Sequence, residues 1–146
     1  MAQHHTISSI LSGVSGEYFV AAELSRQGYI ASITLRNTKG VDILASNADA
    51  SKSVSIQVKT NRGRRKTWLL NKKAEDYYAA NLFYVFVNLN DGEPPEFHVV
   101  PSKVVAHQIK TGYARWVAVP GHKDGPMRNF WDKEGDYRNR WELLGL

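Results

Sequence analysis

Four residues in the N-terminal part of the chain carry the chemistry of a metal-assisted phosphate site: Glu17, Asp42, Gln57 and Lys59. Mg2+ takes hard oxygen ligands in near-octahedral geometry, usually one or two carboxylates with water and substrate phosphate completing the shell. Asp42 would be the main ligand, the Gln57 amide oxygen and the Val58 carbonyl further oxygens, and Glu17 a second carboxylate. An ion held there polarises a phosphate and acidifies its bound water. Lys59 then orients that water or neutralises the charge that builds on phosphorus in the transition state. Such chemistry needs no serine, cysteine or histidine nucleophile.

A helix and a hairpin have to bring these side chains together. From Ile7 to Leu24 the apolar residues Ile7, Ile10, Leu11, Val14, Tyr18, Ala21 and Leu24 recur at three- and four-residue steps, as one face of an amphipathic helix requires. Gly28 stops this helix as a C-cap, and Glu17 lies at the border of the apolar face, looking along the core edge toward a sheet. Tyr29–Leu35 reads as a strand, Asn37–Gly40 as a turn and Val41–Ser46 as a second strand. After the polar loop Asn47–Lys52, Ser53–Thr60 alternates, with Val54, Ile56 and Val58 on one face and Ser55, Gln57 and Lys59 on the other. Pairing Ser46 with Ser53 sets Asp42 opposite Gln57 and Gly40 opposite Lys59, with facing Cβ atoms roughly 5 Å apart. A one-residue slip would set the polar face against the apolar one, so pattern and site select the same register.

The next stretch holds Lys59, Arg62, Arg64, Arg65, Lys66, Lys72 and Lys73 with no acidic residue among them. It reads either as a phosphate footprint, with Arg62, Arg64, Arg65, Lys66 and Lys72 as the nucleic-acid contacts, or as a solvated loop. Lys72–Ala80 is expected to be helical, Leu82–Leu89 a buried strand, Asn90–Pro95 a turn and Glu96–Val100 a strand, with Pro101 opening a helix over Ser102–Ile109. Tyr77 and Tyr78, on the expected second helix, read as core-edge tyrosines sooner than as platforms for a base. Thr111–Leu146 is richer in Gly, Pro and Trp, and there Arg128, Lys133, Arg138 and Arg140 interleave with Phe130, Trp131, Tyr137 and Trp141. That mixture either grips a nucleic-acid strand by charge and stacking or closes the core with its rings.

The 146 residues fit one domain over 1–146, and a chain of about 150 residues buries roughly 70% of its unfolded surface. Cysteine is absent, which excludes disulfides and thiolate metal sites and leaves only O or N ligands. The histidines His4, His5, His98, His107 and His122 show no metal-binding spacing and read as surface or packing residues. A net charge of +5 supports an anionic partner. No apolar run approaches the ~20 residues of a membrane span, and Met1–Ser9 lacks the succession of a secretory signal, so a cytoplasmic protein with no membrane association is expected.

The stretches SGEYFVAAELSRQGYIA, NTKGVDILA and VSIQVKT resemble the PD-(D/E)XK nuclease superfamily, specifically its small Holliday-junction-resolvase-like and restriction-endonuclease-like forms. The resemblance spans Ser15 to Thr60, under half of the chain. It implies an α/β (α+β) fold with a central mixed β-sheet flanked by helices, and Glu17, Asp42, Gln57 and Lys59 in the metal-site positions. It further implies a Mg2+- or Mn2+-dependent endonuclease hydrolysing DNA phosphodiester bonds, with a homodimer among the assemblies its resolvase-like members use. Gln57 stands where most members carry Glu or Asp, although some restriction-type branches also have Q-x-K. A neutral amide is the weaker ligand, so a catalytically inactive relative that binds nucleic acid or a protein partner is the alternative.

Overall fold

The computed structural model describes residues 7–35 and 38–146. Asn37 of the expected turn, with His4 and His5, lies outside them. Helix α1 (Ser9–Arg26) leads into strands β1 (Ile30–Ile33), β2 (Ile43–Ser46) and β3 (Ser53–Asn61), then β4 (Thr67–Asn71), β5 (Leu82–Asn88), β6 (Glu96–Pro101), helix α2 (Ser102–Val117) and β7 (Met127–Trp131). The central sheet has the order β1-β2-β3-β5-β6 and is mixed: β3 and β5 are parallel, and the other neighbours are antiparallel. α1 covers one face; α2 and the β4–β7 ribbon cover the other. β5 is buried along its whole length, which is why its sequence is a continuous apolar run instead of an alternating one.

Ser8 caps α1 by accepting from the Leu11 N–H, and the helix ends in a Schellman motif with Gly28 at φ +92°. Its inward line is Ser12, Gly16, Val20 and Leu24. The stripe expected to face the core is therefore corrected: Ile7, Ile10, Leu11 and Tyr18 are exposed. Small residues took the inward positions because the helix lies so close to β3. A Cβ built on Gly16 would stand 1.9 Å from Thr60 Oγ1 and 3.0 Å from Thr60 Cβ, so the approach is possible only for glycine.

Three further expectations change. Lys72–Ala80 is not an α-helix: a 3-10 turn covers Lys72–Glu75, and further on both polar backbone groups of Ala79 are satisfied by the buried Ser102 hydroxyl. The stretch read as one basic loop contains β4, whose Trp68 and Leu70 point inward against Phe130 and Phe86. α2 runs eight residues past Ile109, because Gly112 lies inside it with the Trp131 ring over it; a Cβ there would meet that ring at 2.6 Å. In the tail the core-closing role prevails, with Phe130 and Trp141 buried and Arg128 held by Glu75 beneath the Tyr113 ring.

A buried polar chain ties that tail to the sheet. His98 Nε2 lies 2.7 Å from Glu96 Oε2 and its Nδ1 lies 2.6 Å from Asp132 Oδ2. Lys66 bonds the same Glu96 oxygen, and Asp132 accepts the N–H groups of Asp136 and Tyr137. Burial pushes the Glu96 carboxyl up, but the hydrogen bonds from Lys66 and His98 outweigh it and hold the group down at about 2.

Two outcomes follow from this packing. Gly16→Ala should lower unfolding free energy in urea by about 1–3 kcal/mol, because overpacking against β3 outweighs alanine's better helix propensity of about 1 kcal/mol; an unchanged midpoint would show that α1 can shift freely. Because the folded pKa of Glu96 is depressed, its contribution is present above the unfolded value and is lost as pH falls from about 4.5 toward 2, on the order of 3 kcal/mol. Glu96→Gln should remove that acid limb from a pH series of denaturation curves.

Candidate functional site

The β2–β3 ladder runs from Ser46↔Ser53 to Ile43↔Ile56, the register set by the alternating pattern. It stops one residue short of Asp42, so the expected Asp42–Gln57 and Gly40–Lys59 pairs do not form within it. Asp42 instead donates its N–H to the Ile56 carbonyl at 2.8 Å, and its Oδ2 accepts from the Val58 N–H at 2.7 Å. The carboxylate thus takes the place of a strand carbonyl, capping an edge donor of β3 that β2 no longer reaches. N–H and C=O of one strand residue face the same neighbour, so the Val58 carbonyl shares the edge that its N–H offers to Asp42. On the other side Thr34 fixes the segment: its N–H donates to the Asp42 carbonyl at 2.9 Å and its Oγ1 to the Val41 carbonyl at 2.6 Å.

Glu17 and Asp42 line one recess of about 220 Å3, together with Ser9, Ile10, Gly13, Val14, Thr34 and Leu35. The close approach at Gly16 carries α1 near enough to the sheet for the next residue, Glu17, to share that recess. Gln57 and Lys59 are absent from its lining. In the parallel β3–β5 pair, Gln57 is in register with Tyr84 and Lys59 with Phe86, and both partners belong to the core beneath α2. In-register residues of paired strands point to one face, so Gln57 and Lys59 face away from α1. The Val58 N–H lies in the plane of the sheet, and the Asp42 carboxylate bonded to it is close enough to Lys59 to feel its charge.

Burial raises the proton affinity of Asp42, and the Val58 hydrogen bond and the Lys59 charge offset this only in part. Asp42 is therefore a carboxylate that a cation would stabilise. Among the described residues no cluster of three or more His, Cys, Asp or Glu could hold an ion. Glu17 and Asp42, which line the same recess, are hard-oxygen donors of the kind Mg2+ takes while keeping several of its waters, whereas Gln57 lies toward the other face.

The expected phosphate contacts divide. Arg62, Arg64, Arg65 and Lys72 are exposed. Arg62 donates to the Ile7 carbonyl at 2.9 Å, and Arg62 and Arg65 line a groove of about 1030 Å3 between α1 and the loop after β5. Lys66 is different: it belongs to the Glu96–His98 chain and serves the fold. One residue near the site has a role the sequence reading missed. Tyr77 is not helical; its hydroxyl donates to the Gly40 carbonyl at 3.2 Å, two residues before Asp42. Beneath the site Tyr84 is buried, and burial, then the nearby Tyr77, push its phenol up to about 12. No local signal marks Tyr77, because the contact spans 37 residues of chain.

No helix among the described residues is long and apolar enough to cross a membrane. No family model matches the chain, and none of the curated proteins does. Among solved structures, the chain is similar to a bacterial homing endonuclease, I-Ssp6803I, with a TM-score of 0.59 and 14% identity over 96% of this chain and 94% of that one. It is also similar to Hjc, a Holliday junction resolvase from Archaeoglobus fulgidus, with a TM-score of 0.50 and 12% identity over 82% and 84%. At such identities the likeness is one of fold: a central mixed sheet flanked by helices, shared with two nuclease-fold proteins.

Proposed function

We propose that this chain is a metal-dependent endonuclease that hydrolyses DNA phosphodiester bonds at the Asp42 end of β3. The observation that carries this reading is that Glu17 and Asp42 line one recess, with Asp42 half-buried and near the Lys59 charge. The fold is shared with an endonuclease and a resolvase of Holliday junctions, which supports the same class of reaction. Asp42 and Glu17, with the Gln57 amide and the Val58 carbonyl, would hold Mg2+ or Mn2+. When bound, the ion supplies Lewis acidity at the phosphate and an acidified water. Lys59 neutralises charge building on the phosphate oxygens, and Arg62, Arg64, Arg65 and Lys72 bind flanking phosphates without reading sequence.

A second reading, a nuclease-fold module that binds DNA without cutting it, is favoured by one observation: Gln57 is neutral and faces the opposite side of the sheet from α1. The two readings separate on the wild-type protein incubated with Mg2+ or Mn2+ and duplex, branched or single-stranded DNA. Cleavage of any of these, reduced about 100-fold or more by Lys59→Ala, supports the enzyme; binding without cleavage supports the module. In either case Arg65→Ala should lower the slope of log affinity against log salt by about 1. Lys66→Ala should instead lower stability, and an unchanged denaturation midpoint for it would count against a structural role for the Lys66–Glu96 pair.

Asp42→Asn gives the sharpest readout. The amide oxygen can still accept from Val58 while the half-buried charge is gone, so cleavage should vanish while the metal-free protein keeps or gains stability, by about 1 kcal/mol. Because burial raises the folded pKa of Asp42, that gain should be present at neutral pH and fade as the wild-type carboxyl protonates in acid. Loss of both stability and cleavage would make Asp42 a strand cap and nothing more.

A further inference from the structure

The segment between the 3-10 turn and β5 has little regular structure, yet its backbone is anchored at several points. The Ala79 N–H donates to Ser102 Oγ at 3.1 Å, and the same hydroxyl donates to the Ala79 carbonyl at 3.1 Å. Ser102 is fully buried at the start of α2. The Asn81 carbonyl accepts from the Ser55 N–H at 2.8 Å, which ties the segment's end to β3. Tyr77 reaches out from this anchored stretch, 38% exposed, and lays its ring against Gly40.

That contact is close. A Cβ on Gly40 would stand 2.6 Å from the Tyr77 hydroxyl oxygen and 2.7 and 2.8 Å from two of its ring carbons, and Gly40 has φ +75°. Both the space and the backbone conformation therefore demand glycine. The Tyr77 hydroxyl then donates to the Gly40 carbonyl. Two residues on, the Asp42 N–H and carboxylate are bonded to successive groups of β3. A continuous series of contacts thus runs from the N-terminus of α2 through Ala79, Tyr77 and Gly40 to the Asp42–Val58 hydrogen bond.

We propose that Tyr77 is a positioning residue: it clamps the Gly40 turn so that the Asp42 carboxylate stays on the Val58 N–H in the orientation a metal ion requires. The metal part of this inference rests on the endonuclease reading, whereas the clamping of Asp42 does not. Tyr77 touches no reacting atom in this scheme; it acts through Gly40. A phenol this exposed contributes modestly to the cores, so its loss should be felt at the site more than in global stability.

The test uses the full chain with Tyr77→Phe, which keeps the ring, and Tyr77→Ala, which removes it. Hydrogen exchange at the Val58 amide is measured against the other β3 amides, and Mn2+ binding is followed by titration calorimetry. Tyr77→Ala should speed Val58 exchange about tenfold with the rest of β3 unchanged, and weaken Mn2+ binding by about the same factor, the scale of one lost hydrogen bond. Tyr77→Phe should show a smaller shift in both. Wild-type Val58 exchange in both variants overturns the proposal, as does a uniform rise across β3 without a local excess at Val58. A Val58-specific change in a protein that binds no Mn2+ would sustain the clamp and sink the metal-site reading, which keeps the two failures apart.

Discussion

The hydrogen bond from the Val58 N–H to the Asp42 carboxylate, 2.7 Å long, organises the place where β2 parts from β3. Where β2 turns away from β3, a strand donor is left without its partner, and a buried unpaired N–H is costly. A side chain fills the gap, and the one that does so is an acid. The substitution secures the sheet's end and at the same time places a carboxylate in surroundings that raise its proton affinity. The surrounding elements serve this geometry: Thr34 of the β1–β2 connection holds the Asp42 carbonyl, α1 lies close through Gly16, and Tyr77 presses on the turn before it.

The two faces of the sheet divide the labour. Beneath α1 lies an aliphatic core built on Val20, Leu24, Ile43, Ile56 and Val85; beneath α2 lies an aromatic one built on Trp68, Tyr84, Phe86 and Phe130. Glu17 belongs to the first side, and Gln57 and Lys59 to the second. The basic residues are sorted by the same packing. Arg128 and Lys66 lie beside Glu75 and Glu96 and stabilise the tail and the ribbon, while Arg62 and Arg65 remain on a groove open to solvent. Sequence proximity in the run from Lys59 to Lys73 says nothing about that sorting, because the acidic partner of Lys66 lies 30 residues away.

Much of the architecture was legible in local pattern. The alternation of Ser53–Thr60 and the Ser46–Ser53 pairing set the hairpin register, and the apolar run Leu82–Leu89 announced the buried strand that forms over Leu82–Asn88. The helix read over Ile7–Leu24 forms at Ser9–Arg26, but its inward face was misread, since Ile10, Leu11 and Tyr18 look like core residues and Ser12 and Gly16 do not. The expected helix over Lys72–Ala80 failed because Ala79 finds its partners in Ser102, and α2 was read too short because Gly112 accommodates Trp131. In each case a contact from a distant part of the chain overrode the local preference.

By itself the sequence determined which residues could do chemistry and the spacing that brings a helix and a hairpin into range, because alternation and capping depend only on neighbours along the chain. It could not say that the ladder stops before Asp42, that Glu17 and Lys59 stand on opposite sides of the sheet, or that Tyr77 holds the turn. Those outcomes depend on how closely α1 can approach β3 and on which groups remain unpaired where strands part. Tertiary packing alone decides them, because side-chain volume and hydrogen-bond accounting are settled among residues far apart in the chain.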